Sequence, residues 1–280
     1  MQADHLRIPV GPGAVHVERY GHGGSAFVLL HGFGTSSFLW RHVAPTLAEA
    51  GHTAYAIDLF GYGESDRPFD ADFGVAAQGE YVDAAMTALR AARGIIVGVD
   101  LGGSVALRLA ATRPDRVDKL VVINPPALDQ LPARDVETMQ RSTAKFAFRM
   151  TRGVLGAAPL LRHVLEGSVA DPNRMPVRLV ARYLAPYTGR DGPNHLLRLA
   201  SAIRSADLTE DDLRAIQAPT LVLWGDQDRW IDAKLPNQVV SAIPSARLQR
   251  LHGLGRLLPE ENPEQLCELL LNLTRSRELV

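Results

Sequence analysis

Short aliphatic and β-branched runs recur along this chain, separated by longer amphipathic stretches, and that alternation restricts it to a sheet with crossover helices. It predicts strands at Leu6–Val10, Val15–Tyr20, Ala26–Leu30, Thr53–Ile57, Ile95–Val99, Val117–Ile123, Thr220–Trp224 and Arg247–Leu251. Helices are predicted at Phe38–Ala50, Ala76–Arg93, Leu101–Thr112, Leu235–Ile243 and Glu264–Arg275. Phe27-Val28-Leu29-Leu30 and Leu120-Val121-Val122-Ile123 are apolar throughout, as strands must be when helices cover both faces of a parallel sheet. The first two runs are closer together and more polar, which predicts an antiparallel hairpin at one edge. The expectation is an α/β fold with a mostly parallel, eight-stranded sheet flanked by helices.

From Pro125 to Ile216 no strand candidate occurs, only helical segments broken by prolines and glycines. Such a block between two strands is expected to be an insertion over the strands' C-terminal edge, where ligands bind in open α/β folds. Residues 1–124 and 217–280 then form the core domain, and residues 125–216 a helical lid. Charge bounds the partners: 30 basic residues nearly cancel 31 acidic ones, so nucleic acid is not an expected partner. The single cysteine, Cys267, excludes an internal disulfide and any multi-cysteine metal site, and it suits a reducing compartment. Met1–Pro9 has no apolar run, and no stretch reaches the roughly 18 apolar residues of a membrane span. A cytoplasmic protein without membrane contact is expected, with a homodimer left open. No histidine/carboxylate cluster at ligand spacing and no phosphate-cradling loop is visible, so neither metal nor organic cofactor is expected.

The chemistry concentrates at Gly98-Val99-Asp100-Leu101-Gly102-Gly103, where a predicted strand turns directly into a predicted helix. Such a turn cramps the backbone and needs small neighbours two positions either side, which Gly98 and Gly102 supply. It projects the Asp100 carboxylate above the sheet beside a helix N-terminus. Taken alone, the same segment also reads as a glycine-rich connection with an N-capping aspartate. Three further motifs follow predicted strands: His31-Gly32-Phe33-Gly34, the segment Asp58 to Pro68, and Gly225-Asp226-Gln227-Asp228. In this order and spacing the four resemble the α/β-hydrolase superfamily over nearly the whole chain. An aspartate at the elbow resembles the epoxide hydrolase and haloalkane dehalogenase branch. There an aspartate attacks carbon to form an alkyl-enzyme ester, and a histidine activates the water that hydrolyses it. Esterase chemistry is disfavoured, because attack on an ester by Asp100 would leave an anhydride. The resemblance implies an oxyanion hole from the Phe33 and Leu101 N–H groups. It makes Asp228 the acid of a triad and gives His31 and most of the Asp58–Pro68 segment framework roles. Leu101 stands where dehalogenases place a halide-binding tryptophan, which counts against carbon–halogen cleavage.

The chain departs from the family after its last predicted strand. The stretch from Leu251 to Glu264 places Arg256 where the catalytic histidine is expected. Arginine, whose guanidinium stays protonated far above neutrality, cannot accept a proton from water at neutral pH. Asp228 is expected to pair with Arg256, and an arginine near Asp100 is expected to lower that carboxyl's pKa. His252 lies four residues earlier, an extended reach of about 13 Å, and is the alternative base. Three readings follow. The scaffold performs non-hydrolytic chemistry on a small, largely apolar molecule, such as cyclisation, elimination, isomerisation or intramolecular epoxide opening, resembling hydrolase-like proteins of natural-product pathways. It is an epoxide hydrolase, or less readily a dehalogenase, using Asp100 and His252. Or it is a silent member that binds a ligand. Candidate substrate contacts are Trp230 after the seventh strand and, in the insertion, Tyr183, Tyr187 and His195. Tyr183 and Tyr187 would share one helical face, for which ordinary packing is the competing role. Phe33, Trp40, Phe60, Met139, Phe146, Phe148, Met150, Leu184 and Trp230 are candidates for an apolar wall, of which loop position favours Phe33 and Trp230, the others reading equally as core.

Overall fold

A computed structural model describes residues 2–141, 158–189 and 191–275. Phe146, Phe148 and Met150 lie outside the described residues. Eight strands form one sheet: β1 (Asp4–Val10), β2 (Gly13–Tyr20), β3 (Ala26–Leu30), β4 (Thr53–Ile57), β5 (Gly94–Val99), β6 (Val117–Ile123), β7 (Thr220–Gly225) and β8 (Ala246–Leu251). Their order is β1-β2-β4-β3-β5-β6-β7-β8. The edge hairpin β1–β2 and the β2–β4 pair are antiparallel, and every other pair is parallel. All residues of β4, β5 and β7 are buried, which explains their unbroken apolar sequences. The strand order reverses at β3, which pairs with β4 on one side and β5 on the other. The loops leaving β3 and β5 therefore meet at the switch point where open α/β sheets place ligands.

Helices α1 (Ala44–Glu49), α2 (Val75–Ala88) and α3 (Leu101–Thr112) follow β3, β4 and β5. The single helix expected over Phe38–Ala50 is instead a 3₁₀ turn, Ser37–Trp40, followed by α1, because Pro45 opens a helix rather than sitting inside one. α2 stops at Ala88, short of the expected Arg93, and Arg90 just beyond it has a left-handed φ of 59°. Between β6 and β7 come α4 (Arg134–Gln140), α5 (Ala158–Gly167), α6 (Val177–Leu184), α7 (Gly192–Ala202) and α8 (Glu210–Ala215), the last four joined by 3₁₀ turns, with no strand among the described residues. α9 (Leu235–Ala242), α10 (Leu258–Glu261) and α11 (Pro263–Arg275) complete the chain. Among the described residues no helix is long and apolar enough to cross a membrane.

Candidate active site

Asp100 sits between β5 and α3 with φ 52° and ψ −123°, a conformation that costs a non-glycine residue about 1–3 kcal/mol. Its surroundings enforce it. The Asp100 N–H donates to the Ile123 carbonyl (2.9 Å), and the Asp100 carbonyl accepts from Gly103 (2.8 Å) and Ser104 (3.2 Å). A Cβ on Gly98 would lie 2.2 Å from the Gly102 carbonyl oxygen, and one on Gly102 would lie 2.4 Å from the Leu30 and His31 carbonyls. Both positions must be glycine for strand, turn and helix to meet. Gly32 is equally constrained, since its Cβ would come within 2.9 Å of the Asp100 carboxylate, and this close approach lets the neighbouring Phe33 N–H donate to Asp100 Oδ2 (2.9 Å).

The other carboxylate oxygen, Oδ1, accepts from Arg256 Nη1 at 2.7 Å. The Arg256 side chain is only 1% exposed. Backbone bonds anchor it: the Arg256 N–H donates to the Ser168 carbonyl (2.8 Å) and the Gly255 N–H to Glu261 Oε2 (2.7 Å). Arg256 Nη1 also donates to Asp135 Oδ2 (3.3 Å), and Nε lies 3.5 Å from Asp228 Oδ2. Asp228 is fixed in turn by Asn124 Nδ2 (3.1 Å) and the Trp230 N–H (2.8 Å). One guanidinium thus faces three buried carboxyl groups.

That imbalance sets the protonation. Burial, reinforced by the nearby Asp135 charge, pushes the Asp100 carboxyl up to about 6, against the opposing pull of Arg256 and the Phe33 N–H. Arg256 does pull the Asp100 pKa down as expected, but the net direction is the reverse: one cation shared among three acids does not offset dehydration plus a second carboxylate. The same acids hold Arg256 charged despite its burial.

The remaining candidates divide. His252 is 85% exposed on its side chain and bonds Asp226 Oδ2 through Nδ1 (2.8 Å), so the turn after β8 directs it away from Asp100 and Asp228. Tyr183 and Tyr187 do not share a helical face, because α6 ends at Leu184 and a 3₁₀ turn containing Pro186 follows. Tyr183 donates to Glu260, which also takes a bidentate bond from Arg41 (2.6 and 2.6 Å). That places Tyr183 in the junction between α6 and the sheet domain. Tyr187 is buried and its hydroxyl has no partner among the described residues. His195 donates from Nε2 to the Gly61 carbonyl (2.6 Å), and burial lowers its pKa. His31 is committed at both nitrogens, donating from Nδ1 to the Gly32 carbonyl and accepting at Nε2 from the Leu59 N–H. The Trp230 indole N–H is buried without a partner among the described residues. Of the two N–H groups expected in an oxyanion hole, that of Phe33 is bonded to the Asp100 carboxylate, and no such bond from Leu101 is found among the described residues.

Three residues escaped the sequence reading. Asp135 lies in the first turn of α4, where an acid complements the helix N-terminus. Asn124 closes β6 at φ 44°, a left-handed position that asparagine tolerates, and its side chain bridges Gly225 and Asp228. Tyr62 belongs to the Asp58–Pro68 segment, much of which does serve as framework: Asp58 accepts from the Ser37 and Glu64 N–H groups, and the Ser65 hydroxyl bonds the Asp58 carbonyl. Yet the Tyr62 hydroxyl is buried, lacks a partner among the described residues, and is raised far above the usual phenol range by burial, with Tyr187 and Asp100 adding to it. The expectation of no histidine/carboxylate cluster at ligand spacing is also corrected, because the β1–β2 register brings His5, His16 and Glu18 together.

Similarity to known proteins agrees with this architecture. The chain is 28% identical over 267 residues to a haloalkane dehalogenase of Mycobacterium marinum, covering 89% of this chain and 84% of that one. It is 25% identical over 276 residues to a 2-hydroxy-6-oxononadienedioate/2-hydroxy-6-oxononatrienedioate hydrolase of Burkholderia vietnamiensis, covering 93% and 91%. The fold matches that of the epoxide hydrolase CorEH with a TM-score of 0.83 at 21% identity, covering 97% and 98%. The model of the alpha/beta hydrolase fold family matches residues 25–263, and with the strand order and the Asp100 elbow in place, this chain belongs to that family.

Proposed function

We propose that this protein is an enzyme in which Asp100 and Arg256 catalyse a proton-transfer rearrangement of a small, largely apolar organic substrate without an activated water. The observation carrying this reading is the 2.7 Å bond between Arg256 and Asp100 at a fully buried site. A guanidinium cannot serve as a general base near neutral pH, and His252, His195 and His31 are all bonded elsewhere. Among the described residues no histidine is hydrogen-bonded to Asp100 to activate the water that would free a covalent alkyl ester.

The same geometry suits rearrangement. A carboxyl titrating at about 6 holds both protonation states near neutrality, the condition for efficient proton transfer in either direction. In an intramolecular epoxide opening, Asp100 accepts the proton of the substrate's own hydroxyl as that oxygen attacks the ring carbon. The breaking C–O bond leaves its electron pair on oxygen, which takes a proton from a phenol, and Tyr62 or Tyr187 supplies it. Asp100 then returns its proton to the phenolate, so the product is an isomer of the substrate and no water is consumed. Arg256 and the Phe33 N–H hold the carboxylate in place, and the helical segment between β6 and β7 acts as a lid that keeps bulk water out.

A second reading, hydrolysis through an Asp100 ester, draws support from the strained elbow and from Phe33 holding Oδ2, and it requires Oδ1 to leave Arg256 in order to attack. Hydroxy-epoxides and simple epoxides incubated in ¹⁸O-water separate the two. The expected outcome is an isomeric product without ¹⁸O, no adduct by intact mass, loss of turnover in Asp100→Asn and full turnover in His252→Ala. An ¹⁸O-labelled diol with a substrate-sized adduct on Asp100 establishes hydrolysis instead. Conversion retained in Asp100→Asn, or tight binding without turnover of any probe, rejects both.

A further inference from the structure

In the antiparallel β1–β2 hairpin His5 lies opposite Glu18 and Arg7 opposite His16, so His5, His16 and Glu18 share one face. One ligand atom from each lies within 4.8 Å of the others, and His5 Nδ1 is 3.1 Å from His16 Nε2. The group is prepared from behind. His16 is 4% exposed, and its Nδ1 is bonded to the buried Asp58 carboxylate at 2.9 Å. A carboxylate on one imidazole nitrogen fixes the N–H there and leaves the other nitrogen as a directed lone pair, the arrangement found behind metal-ligating histidines. Glu18 is oriented by the Tyr20 hydroxyl (2.8 Å) and the Ser37 hydroxyl (3.3 Å). The Glu64 carboxylate stands 4.0 Å from His16 Nε2, within reach of the same point.

We propose that His5, His16 and Glu18 form a binding site for a divalent transition-metal ion, with Asp58 as the carboxylate that orients His16. Two imidazole nitrogens on a tetrahedral zinc ion at about 2.0–2.1 Å stand about 3.3 Å apart, a few tenths of an ångström wider than the contact seen here. His5 is exposed and turns to aim its lone pair, while Glu18 closes by side-chain rotation. An ion would replace the N–H···N hydrogen bond that now joins the two rings, which are 5.3 Å apart and 20° from parallel. A nitrogen, nitrogen, oxygen ligand set selects zinc, copper or nickel over magnesium or calcium. The site ties the edge hairpin to the loop after β4, on strands separate from the Asp100 elbow at the end of β5, and it does not depend on the catalytic reading.

The test uses the full chain stripped with chelator and titrated calorimetrically with Zn²⁺, with Co²⁺ visible absorption reporting coordination. The expected result is one equivalent bound and a raised Tm, with His5→Ala and Glu18→Gln each weakening the affinity by about tenfold or more. His252→Ala, which removes an exposed histidine elsewhere, is expected to change nothing. Both His5 and Glu18 can be replaced without opening the core, so a folding failure at buried His16 does not shield the proposal. It is overturned by absence of saturable binding, by unchanged affinity in His5→Ala, or by equal loss in His252→Ala.

Discussion

Replacing Asp135 by asparagine removes one charge from the buried cluster while keeping the side chain's shape. Arg256 Nη1 lies 2.7 Å from an Asp100 oxygen and 3.3 Å from an Asp135 oxygen, so those two oxygens are at most about 6 Å apart. At an effective dielectric constant of about 20, like charges at that separation repel by about 3 kcal/mol, equivalent to about 2 pKa units. Asp135→Asn is therefore expected to bring the Asp100 carboxyl from about 6 down to about 4. The consequence for stability has a definite sign. Between its ordinary value of 3.8 and about 6, the native state keeps a proton on Asp100 that the unfolded chain has lost. This group's contribution is thus fully present below pH 3.8 and is lost as pH rises through 6, a fall of about 3 kcal/mol. Urea unfolding of wild type, Asp135→Asn, Asp100→Asn and the double variant at pH 4, 5, 6 and 7 isolates that fall from the rest of the molecule. In Asp135→Asn it is expected to shrink to under about 1 kcal/mol, and ¹³C-carboxyl NMR should show the Asp100 midpoint moving down. An Asp100 midpoint that stays near 6 in Asp135→Asn would refute the view that the Asp135 charge reinforces burial in raising it.

Two further outcomes follow from the same electrostatics. Arg256→Met leaves Asp100, Asp135 and Asp228 without a cation and is expected to cost about 3–5 kcal/mol at pH 8, with a smaller loss at pH 5, where Asp100 holds its proton; denaturant melts at the two pH values check both size and sign. Glu260→Gln removes a carboxylate that receives two 2.6 Å bonds from Arg41 and one from buried Tyr183. The expected loss is about 1.5–3 kcal/mol, and an unchanged Tm would reject the view that this junction anchors α6.

Much of the architecture was legible along the chain because it is encoded locally. Unbroken apolar runs identify strands covered on both faces, and glycines at positions 98 and 102 identify the elbow, since any Cβ there would strike backbone. The flanking pattern also pointed to Arg256 as the residue facing Asp100. Asp135 was hidden because an acid in the first turn of a helix has a local explanation, and nothing nearby in sequence indicates that α4 folds over Arg256. Tyr183 and Tyr187 do not share a helical face because the helix gives way to a 3₁₀ turn after Leu184, which leaves Tyr183 bonded to Glu260 and the Tyr187 hydroxyl without a partner among the described residues. The β1–β2 histidines were invisible until the hairpin register set His5 opposite Glu18.

The sequence by itself determined which chemical groups this protein possesses at its strand ends: a carboxylate on the elbow, and an arginine fixed in charge by its intrinsic basicity. Only the tertiary structure decided how those groups behave. Arrival of Asp135 beside Asp100, and removal of both from water, turned an expected stronger acid into a weaker one, because electrostatic energies depend on separation and dielectric environment, which chain neighbours do not specify.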